Sequence, residues 1–320
     1  MSNPEDWEQM VRAARRYYLD DASKKQIGEE LGVSRFKVAR LLEQAREQGV
    51  VTITIQDAGL HLPGISSQVA AHLGLNLVMV IESTGDDSEV RRQVGEAAAE
   101  LLSATVESGE VLGLAWGRTL TAMSASMPPL PPMDVVQLTG AIGTDLADSP
   151  VEVVRQVALR SGGTARPIFA PLVVDSPATA QALRRQPDVA AALDLFDSLT
   201  TAVVSVGSWD PPESQLLRTV GEAEQADLLG RGVVAEVASI LVSDAGEPVA
   251  PDFQARCLTI SPEQMRRIPR VLAVAGGARK ARALAAVVRA GLVTELVCDR
   301  ALAEAVLTLP AIETTPWGRA

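Results

Sequence analysis

Residues 23–49, SKKQIGEELGVSRFKVARLLEQAREQG, constrain this chain more than any other stretch. Ser23 stands where a helix needs an N-cap, and Gln26 follows at the capping-box position. KKQIGEEL then carries a short helix. Gly32-Val33 supplies a tight turn. Ser34 caps a second helix, on which Phe36, Val38, Ala39, Leu41, Leu42 and Ala45 recur at helical spacing and mark the side expected to be buried. Gly49 ends that helix at C′. Helix, glycine turn, helix is the arrangement with which a helix-turn-helix lays its second helix in the major groove. Upstream, Trp7, Met10, Val11, Ala14, Tyr17 and Tyr18 predict a first helix with an apolar face. Downstream, VVTITIQ (50–56) alternates like a strand and would complete a winged variant. Residues 1–56 therefore read as a winged helix-turn-helix DNA-binding domain.

The net charge of −11 counts against nucleic acid only as a whole-chain sum, because binding depends on a local patch. The chain has four lysines, and three of them, Lys24, Lys25 and Lys37, lie within fourteen residues. The start of the second helix carries Ser34, Arg35, Lys37 and Arg40, and no acidic residue occurs from Val33 to Leu42. Lys24 and Lys25 open the preceding helix, where a lysine opposes the helix dipole; a phosphate contact explains the placement. These six residues are the candidate DNA contacts. One such module reads few base pairs, so a dimer on double-stranded operator DNA is expected.

After a linker-like DAGLHLPG (57–64) the pattern changes. Apolar strands at 75–82, 110–117, 134–143, 199–208, 271–277 and 294–299 alternate with helices at 89–106, at 149–163 and after 277. Continuous apolar strands followed by helices predict a mainly parallel sheet covered on both faces. TARPIFAPLVV (164–174) reads as a kinked strand, and EVASILVSDAGEPV (236–249) as an antiparallel addition turning at Asp244-Ala245-Gly246. Aromatic residues make up only 3% of the chain, so the core must be built from Ala, Val, Leu and Ile. No apolar run is long enough to span a bilayer, and MSNPEDWEQM lacks a signal-peptide profile. A cytoplasmic protein with no membrane partner is expected. Cys257 and Cys298 sit in apolar stretches and read as buried thiols. His61 and His72 are the only histidines. Residues 73–320 therefore cannot build a histidine metal site or a Ser-His triad by themselves. No catalytic residue, metal or cofactor is assigned.

In open α/β sheets, ligands sit beyond the carboxyl ends of the strands, and phosphates favour glycine turns at helix N-termini. Two segments fit. GLAWGRTL ends a strand in Gly117-Arg118-Thr119, where amides, a guanidinium and a hydroxyl could hold a phosphate. AGGARK ends another strand in Gly276-Gly277 and opens a helix with Arg279 and Lys280, the single lysine after residue 37.

From about residue 10 to 310 the chain resembles the SorC-type (SorC/DeoR) sugar-binding transcriptional regulators. The resemblance rests on IGEELGVSRFKVARLLEQAREQGVV, GLAWGRT, VVQLTGAIGT, APLVV, GRGVVAEV with SDAGEPV, and the long segment from RRIPRVLAVAGGARK to ALAEAVL. It implies a winged helix-turn-helix joined to an α/β domain with the fold of glucosamine-6-phosphate deaminase and ribose-5-phosphate isomerase, spanning 57–320. That domain would bind an effector and oligomerise as a homodimer or homotetramer. The implied effector is a phosphorylated sugar or a polyol. The resemblance carries the phosphate turn onto Gly117, Arg118 and Thr119, a sugar-hydroxyl acceptor onto Glu236 and a basic contact onto Lys280. Thr139 joins the candidates as the polar residue of VVQLTGA, and Gln215 and Arg218 are weaker ones. The sequence departs from the family pattern at Ala141, at Ala235-Glu236 and in GSWDPPES around Trp209, all near the expected pocket. The function read here is a DNA-binding regulator of carbohydrate metabolism and not an enzyme. The alternatives are a sugar-phosphate isomerase or deaminase with an appended DNA-binding module, or a regulator whose C-terminal domain only oligomerises.

Overall fold

An eight-residue helix is marginal in water, so the N-terminal segment depends on its caps and its packing. The computed structural model describes residues 4–51, 60–142 and 149–312, in two units, Met1–Gln56 and Asp57–Ala320. The first unit holds α1 (Pro4–Tyr18), α2 (Lys24–Leu31) and α3 (Arg35–Glu47). The Ser23 backbone N–H donates to Gln26 Oε1 and the Gln26 N–H donates back to Ser23 Oγ, a complete capping box. Gly32 ends α2 at φ 67°. A Cβ on Gly28 would lie 2.7 Å from the Val33 carbonyl oxygen, so glycine lets the turn close onto α2. Ser34 Oγ caps α3 by accepting the Lys37 N–H. Met10, Ala13, Ala14, Ile27, Val38, Leu41, Leu42 and Ala45 form the core of this unit.

Phe36 departs from the sequence reading. Its side chain is 72% exposed. It precedes Val38 by two residues, which is about 200° around a helix, so burying the Val38 side turns Phe36 outward. The segment 52–56, most of the expected wing, lies outside the described residues, as do 57–59 of the expected linker.

The second unit runs α4 (Pro63–Leu73), β1 (Leu77–Ile81), α5 (Asp87–Thr105), β2 (Val111–Leu114), α6 (Arg118–Ala125), β3 (Asp134–Gln137), α7 (Pro150–Ser161) and β4 (Ala165–Arg166). It continues with α8 (Pro177–Arg184), α9 (Pro187–Leu193), β5 (Thr201–Ser208), α10 (Glu222–Gly230), β6 (Val233–Val237), β7 (Ile240–Ser243), α11 (Pro251–Ala255) and α12 (Pro262–Arg267). It closes with β8 (Arg270–Ala275), α13 (Ala281–Arg289), β9 (Glu295–Asp299) and α14 (Arg300–Leu307). Seven strands form one parallel sheet in the order β1-β9-β8-β5-β2-β3-β4. Buried Val, Leu, Ile and Ala side chains pack the sheet against its helices, as a sheet covered on both faces requires.

β5 is longer than its neighbours and serves two sheets. Its first residues pair with β2 and β8 in parallel, and Val206, Gly207 and Ser208 pair with β6 antiparallel. The β6–β7 hairpin is the antiparallel addition expected from the sequence, but it reverses at Ala238-Ser239, both at positive φ. Asp244-Ala245-Gly246 turns after β7 instead. The Ala238-Ser239 reversal was hidden because neither residue is a usual left-handed turn former. The kinked strand expected at 164–174 contracts to β4 and isolated bridges, at Ala141–Pro171 and Val173–Cys257. Pro167 and Pro171 interrupt the donors a continuous strand needs. Part of the expected linker is helix: Pro63 sits in the first turn of α4, where a missing N–H costs nothing. Cys257 and Cys298 are buried and free. Among the described residues, no helix is long and apolar enough to cross a membrane.

α6 approaches α5 closely because of Gly95, where a Cβ would lie 2.8 Å from the Met123 nitrogen and 2.9 Å from the Thr119 oxygen. Gly95→Val should therefore lower stability by about 2 kcal/mol through overpacking, read as a lower urea midpoint. An unchanged midpoint would contradict this close approach.

Candidate functional site

The chain leaves β2 toward β3 on one side of the sheet and leaves β5 toward β8 on the other. Strand order therefore reverses between β2 and β5, and such a switch point leaves a crevice beyond the strand ends. Gly117 fills the end of β2 at φ 139°. A Cβ there would lie 2.6 Å from Ser205 Oγ on β5, so this crossing demands glycine. Ser205 Oγ donates to the Trp116 carbonyl at 2.7 Å and ties the two strand ends together. α6 starts at Arg118, and its N-cap Gly117 brings no side-chain cap; a helix N-terminus favours an anion.

Two adjoining cavities occupy the crevice and share Arg91, Arg118, Glu213 and Lys280 in their walls. The inner one, about 40 Å³, is lined further by Gly117, Thr119, Ser205, Ser214, Gln215 and Glu236. The outer one, about 310 Å³, adds Gly276, Gly277, Arg218 and Arg279. Five cations and two carboxylates, Asp87 and Glu213, face this outer space. One of those carboxylates, Glu213, is paired with Arg279 at 2.7 Å. The balance suits an anion.

Glu236 sits on β6 opposite Gly207 of β5. A Cβ on Gly207 would come 2.5 Å from Glu236 Oε1, so that glycine makes the room the carboxyl occupies. Ser214 Oγ donates a short hydrogen bond to Oε1. Oε2 is buried with no hydrogen-bond partner. Burial pushes this carboxyl up to about 7, against the Ser214 hydrogen bond and the nearby Lys280 charge. Lys280 donates to the Val206 carbonyl at 3.0 Å. Burial holds its ammonium down at about 8, opposed by Glu213 and reinforced by repulsion from Arg118 and Arg91. A carboxyl raised and an ammonium lowered by burial in one crevice mark it as a candidate functional site.

Of the residues singled out from the sequence, Gly117, Arg118, Thr119, Glu236, Gly276, Gly277 and Lys280 converge here, together with Gln215 and Arg218. The Gly277 N–H is already committed, donating to Asp299 Oδ1 at 2.9 Å. Thr139 lines neither cavity; it is buried, bridges Thr259 across a short antiparallel contact, and its Oγ1 has no partner. Trp209 is buried in an apolar cluster with Trp116 and Phe253, so it packs the loop behind the site. Arg91, Ser205 and Ser214 escaped the sequence reading. Ser205 gave one faint signal, a polar residue inside an apolar strand; Ser214 lay in the GSWDPPES segment without being singled out, and Arg91 gave no signal.

In the first unit Lys24, Lys25, Ser34, Arg35, Lys37 and Arg40 are all exposed. Lys25 pairs loosely with Glu29 at 4.0 Å, and Lys24 Nζ lies 5.6 Å from the Tyr17 ring. The Arg35 guanidinium lies 5.0 Å from the Phe36 ring. Ser34 Oγ accepts the Lys37 N–H at the α3 cap, which leaves its O–H as a donor.

Residues 60–308 match the family described as "Putative sugar-binding domain". The chain is 29% identical over 308 residues to the uncharacterized transcriptional regulator YjhU of Escherichia coli K12, covering 93% of this chain and 94% of that one. It is 26% identical over 316 residues to the sorbitol operon regulator of Klebsiella pneumoniae, covering 96% of this chain and 100% of that one. The solved structure of the full-length sorbitol operon regulator SorC from Klebsiella pneumoniae is similar with a TM-score of 0.72. That likeness spans 95% of this chain and 99% of that one at 24% identity, and it shows the shared fold.

Folding favours the protonated Glu236, since its carboxyl titrates at about 7 when folded against an ordinary 4.5. The stability this supplies is full below pH 4.5 and is lost as pH rises through 7. Glu236→Gln should remove that loss. Its urea midpoint should match the parent near pH 4.5 and exceed it at pH 8, by an amount worth up to about 3 kcal/mol. Parallel pH profiles for the two proteins would contradict the burial of this carboxyl.

Proposed function

The chain belongs to the sugar-binding-domain family of transcriptional regulators, and from that premise we propose a DNA-binding regulator of carbohydrate metabolism controlled by a phosphorylated sugar or polyol. The observation that carries this reading is the crevice at the β2–β5 switch point. A cationic mouth and the N-terminus of α6 lead there to a buried carboxyl oxygen of Glu236 without a hydrogen-bond partner. Arg118, Arg91 and Lys280 would hold the phosphoryl group at the N-terminus of α6. Glu236 Oε2 would accept from a sugar hydroxyl.

In this reading residues 1–56 are a winged helix-turn-helix DNA-binding domain and residues 57–320 bind the effector and oligomerise as a dimer or tetramer. Lys24, Lys25, Ser34, Arg35, Lys37 and Arg40 meet operator DNA, and Ser34 also caps the start of α3. The effector acts by binding one of two states of the oligomer more tightly, which shifts the DNA-competent population. No catalytic residue is needed, and the relatives bear the names of regulators. A second reading draws on Glu236 and Lys280, which titrate close enough to neutrality for proton transfer. Turnover of ribose 5-phosphate or glucosamine 6-phosphate by the purified protein would replace the regulator with an isomerase or deaminase.

A thermal-shift screen of sugars and sugar phosphates tests the site. A ligand at 100-fold its Kd should stabilise by about 2.7 kcal/mol, roughly 5–10 °C for a domain of this size. Arg118→Ala and Lys280→Ala should abolish that shift. No shift with any phosphorylated or free sugar would favour a domain that only oligomerises. For the DNA-binding unit, Arg35→Ala and Lys37→Ala should weaken operator binding with folding intact. Loss of a phosphate-contacting lysine should also reduce the salt slope by about one. Wild-type affinity in both variants would refute the interface.

A further inference from the structure

α3 has a ridge that the candidate cations alone do not explain. Its buried strip is Val38, Leu41, Leu42 and Ala45. At about 100° per residue the opposite ridge is formed by Phe36, Ala39, Arg40 and Glu43, with Arg35 on one flank and Lys37 on the other. Phe36 stands in the first turn of this ridge, 72% exposed, and is among the most exposed large apolar side chains described. The Arg35 guanidinium, 5.0 Å away over the ring, is its one aromatic-type contact among the described residues.

We propose that Phe36 is a specificity-determining residue that reads the 5-methyl group of thymine in the major groove. The inference rests on the proposed DNA-binding role of residues 1–56 and deepens it. The first turn of a helix-turn-helix recognition helix is the part that faces base edges. The apolar feature a major groove offers is the thymine methyl, which aliphatic and aromatic side chains recognise by contact. The charge around Phe36 selects this occupant over an apolar protein surface. The Arg35 guanidinium lies over the ring, Lys37 and Arg40 follow within the next turn of α3, and the first acidic neighbour on the ridge is Glu43, two turns along. An apolar tip framed by cations fits a methyl lying between two phosphate backbones. A hydrophobic protein partner would instead have to desolvate three charges. The ring makes no contribution to the core of its unit, so its replacement leaves the fold intact.

The test uses the full-length protein and a duplex that it selects from a random pool. Each thymine of the enriched sequence is replaced in turn by deoxyuridine, which removes the methyl and nothing else. The wild-type protein should lose about four-fold in affinity at one or two positions per half-site, the worth of one buried carbon. Phe36→Ala should bind the parent duplex more weakly and be indifferent to deoxyuridine at those positions, with an unchanged melting temperature. Phe36→Leu should retain part of the methyl sensitivity. Enrichment of a sequence whose deoxyuridine profile is the same in wild type and Phe36→Ala would overturn the assignment while leaving the DNA-binding reading standing. Enrichment of no sequence at all would overturn both.

Discussion

The reversal of strand order between β2 and β5 is the constraint on which the rest of the second unit depends. Parallel strands carry their helices to one side or the other, and where the direction changes the strand ends part. Two glycines keep the gap usable. Gly117 lets the β2 end pass over Ser205, and Gly207 leaves the space that the Glu236 carboxyl fills. A side chain at either would close the crevice from within. The β6–β7 hairpin then seals one wall by pairing with the far end of β5, which brings Glu236 to a place the parallel sheet alone could not supply. The cations of the crevice therefore come chiefly from α5, α6 and the β8 turn, and its buried carboxyl comes from the hairpin.

What was legible in the sequence was local. The two serine caps, Gln26 and Gly32 announce α2 and α3 because a cap is a contact between residues three apart. Gly117-Arg118-Thr119 and Gly276-Gly277 are turns whose chemistry is written in consecutive residues, and the fold brings them to one crevice. Glu236 entered through family resemblance alone, since within VVAEV it reads as one polar residue in an apolar strand. Arg91 and Ser214 became site residues only through strand order, which no local pattern encodes. Phe36 was misread for a different reason. Apolar residues at helical spacing define a face, and an extra one on the opposite side looks like a member of the set until the buried strip is known. Thr139 lay in the right strand but faced the interior, because the period of two that orients a strand is lost where β3 gives way to isolated bridges.

The acidic balance of the chain and its two cationic sites are compatible because charge is used locally. In the first unit the cations are exposed on the α2–α3 face. In the second, several are drawn into a crevice where burial and mutual repulsion hold Lys280 below its ordinary range. Burial is the larger cause and the charges of Arg118 and Arg91 add to it, so an anion placed among these groups would favour the charged ammonium.

The position of Trp116 has an optical consequence. Trp116 lines the inner cavity, next to Gly117 and Arg118, and packs in the same apolar cluster as Trp209. A molecule entering the crevice changes the polarity and the charge beside that ring. Emission of a native chromophore would then report occupancy of the proposed site without any label.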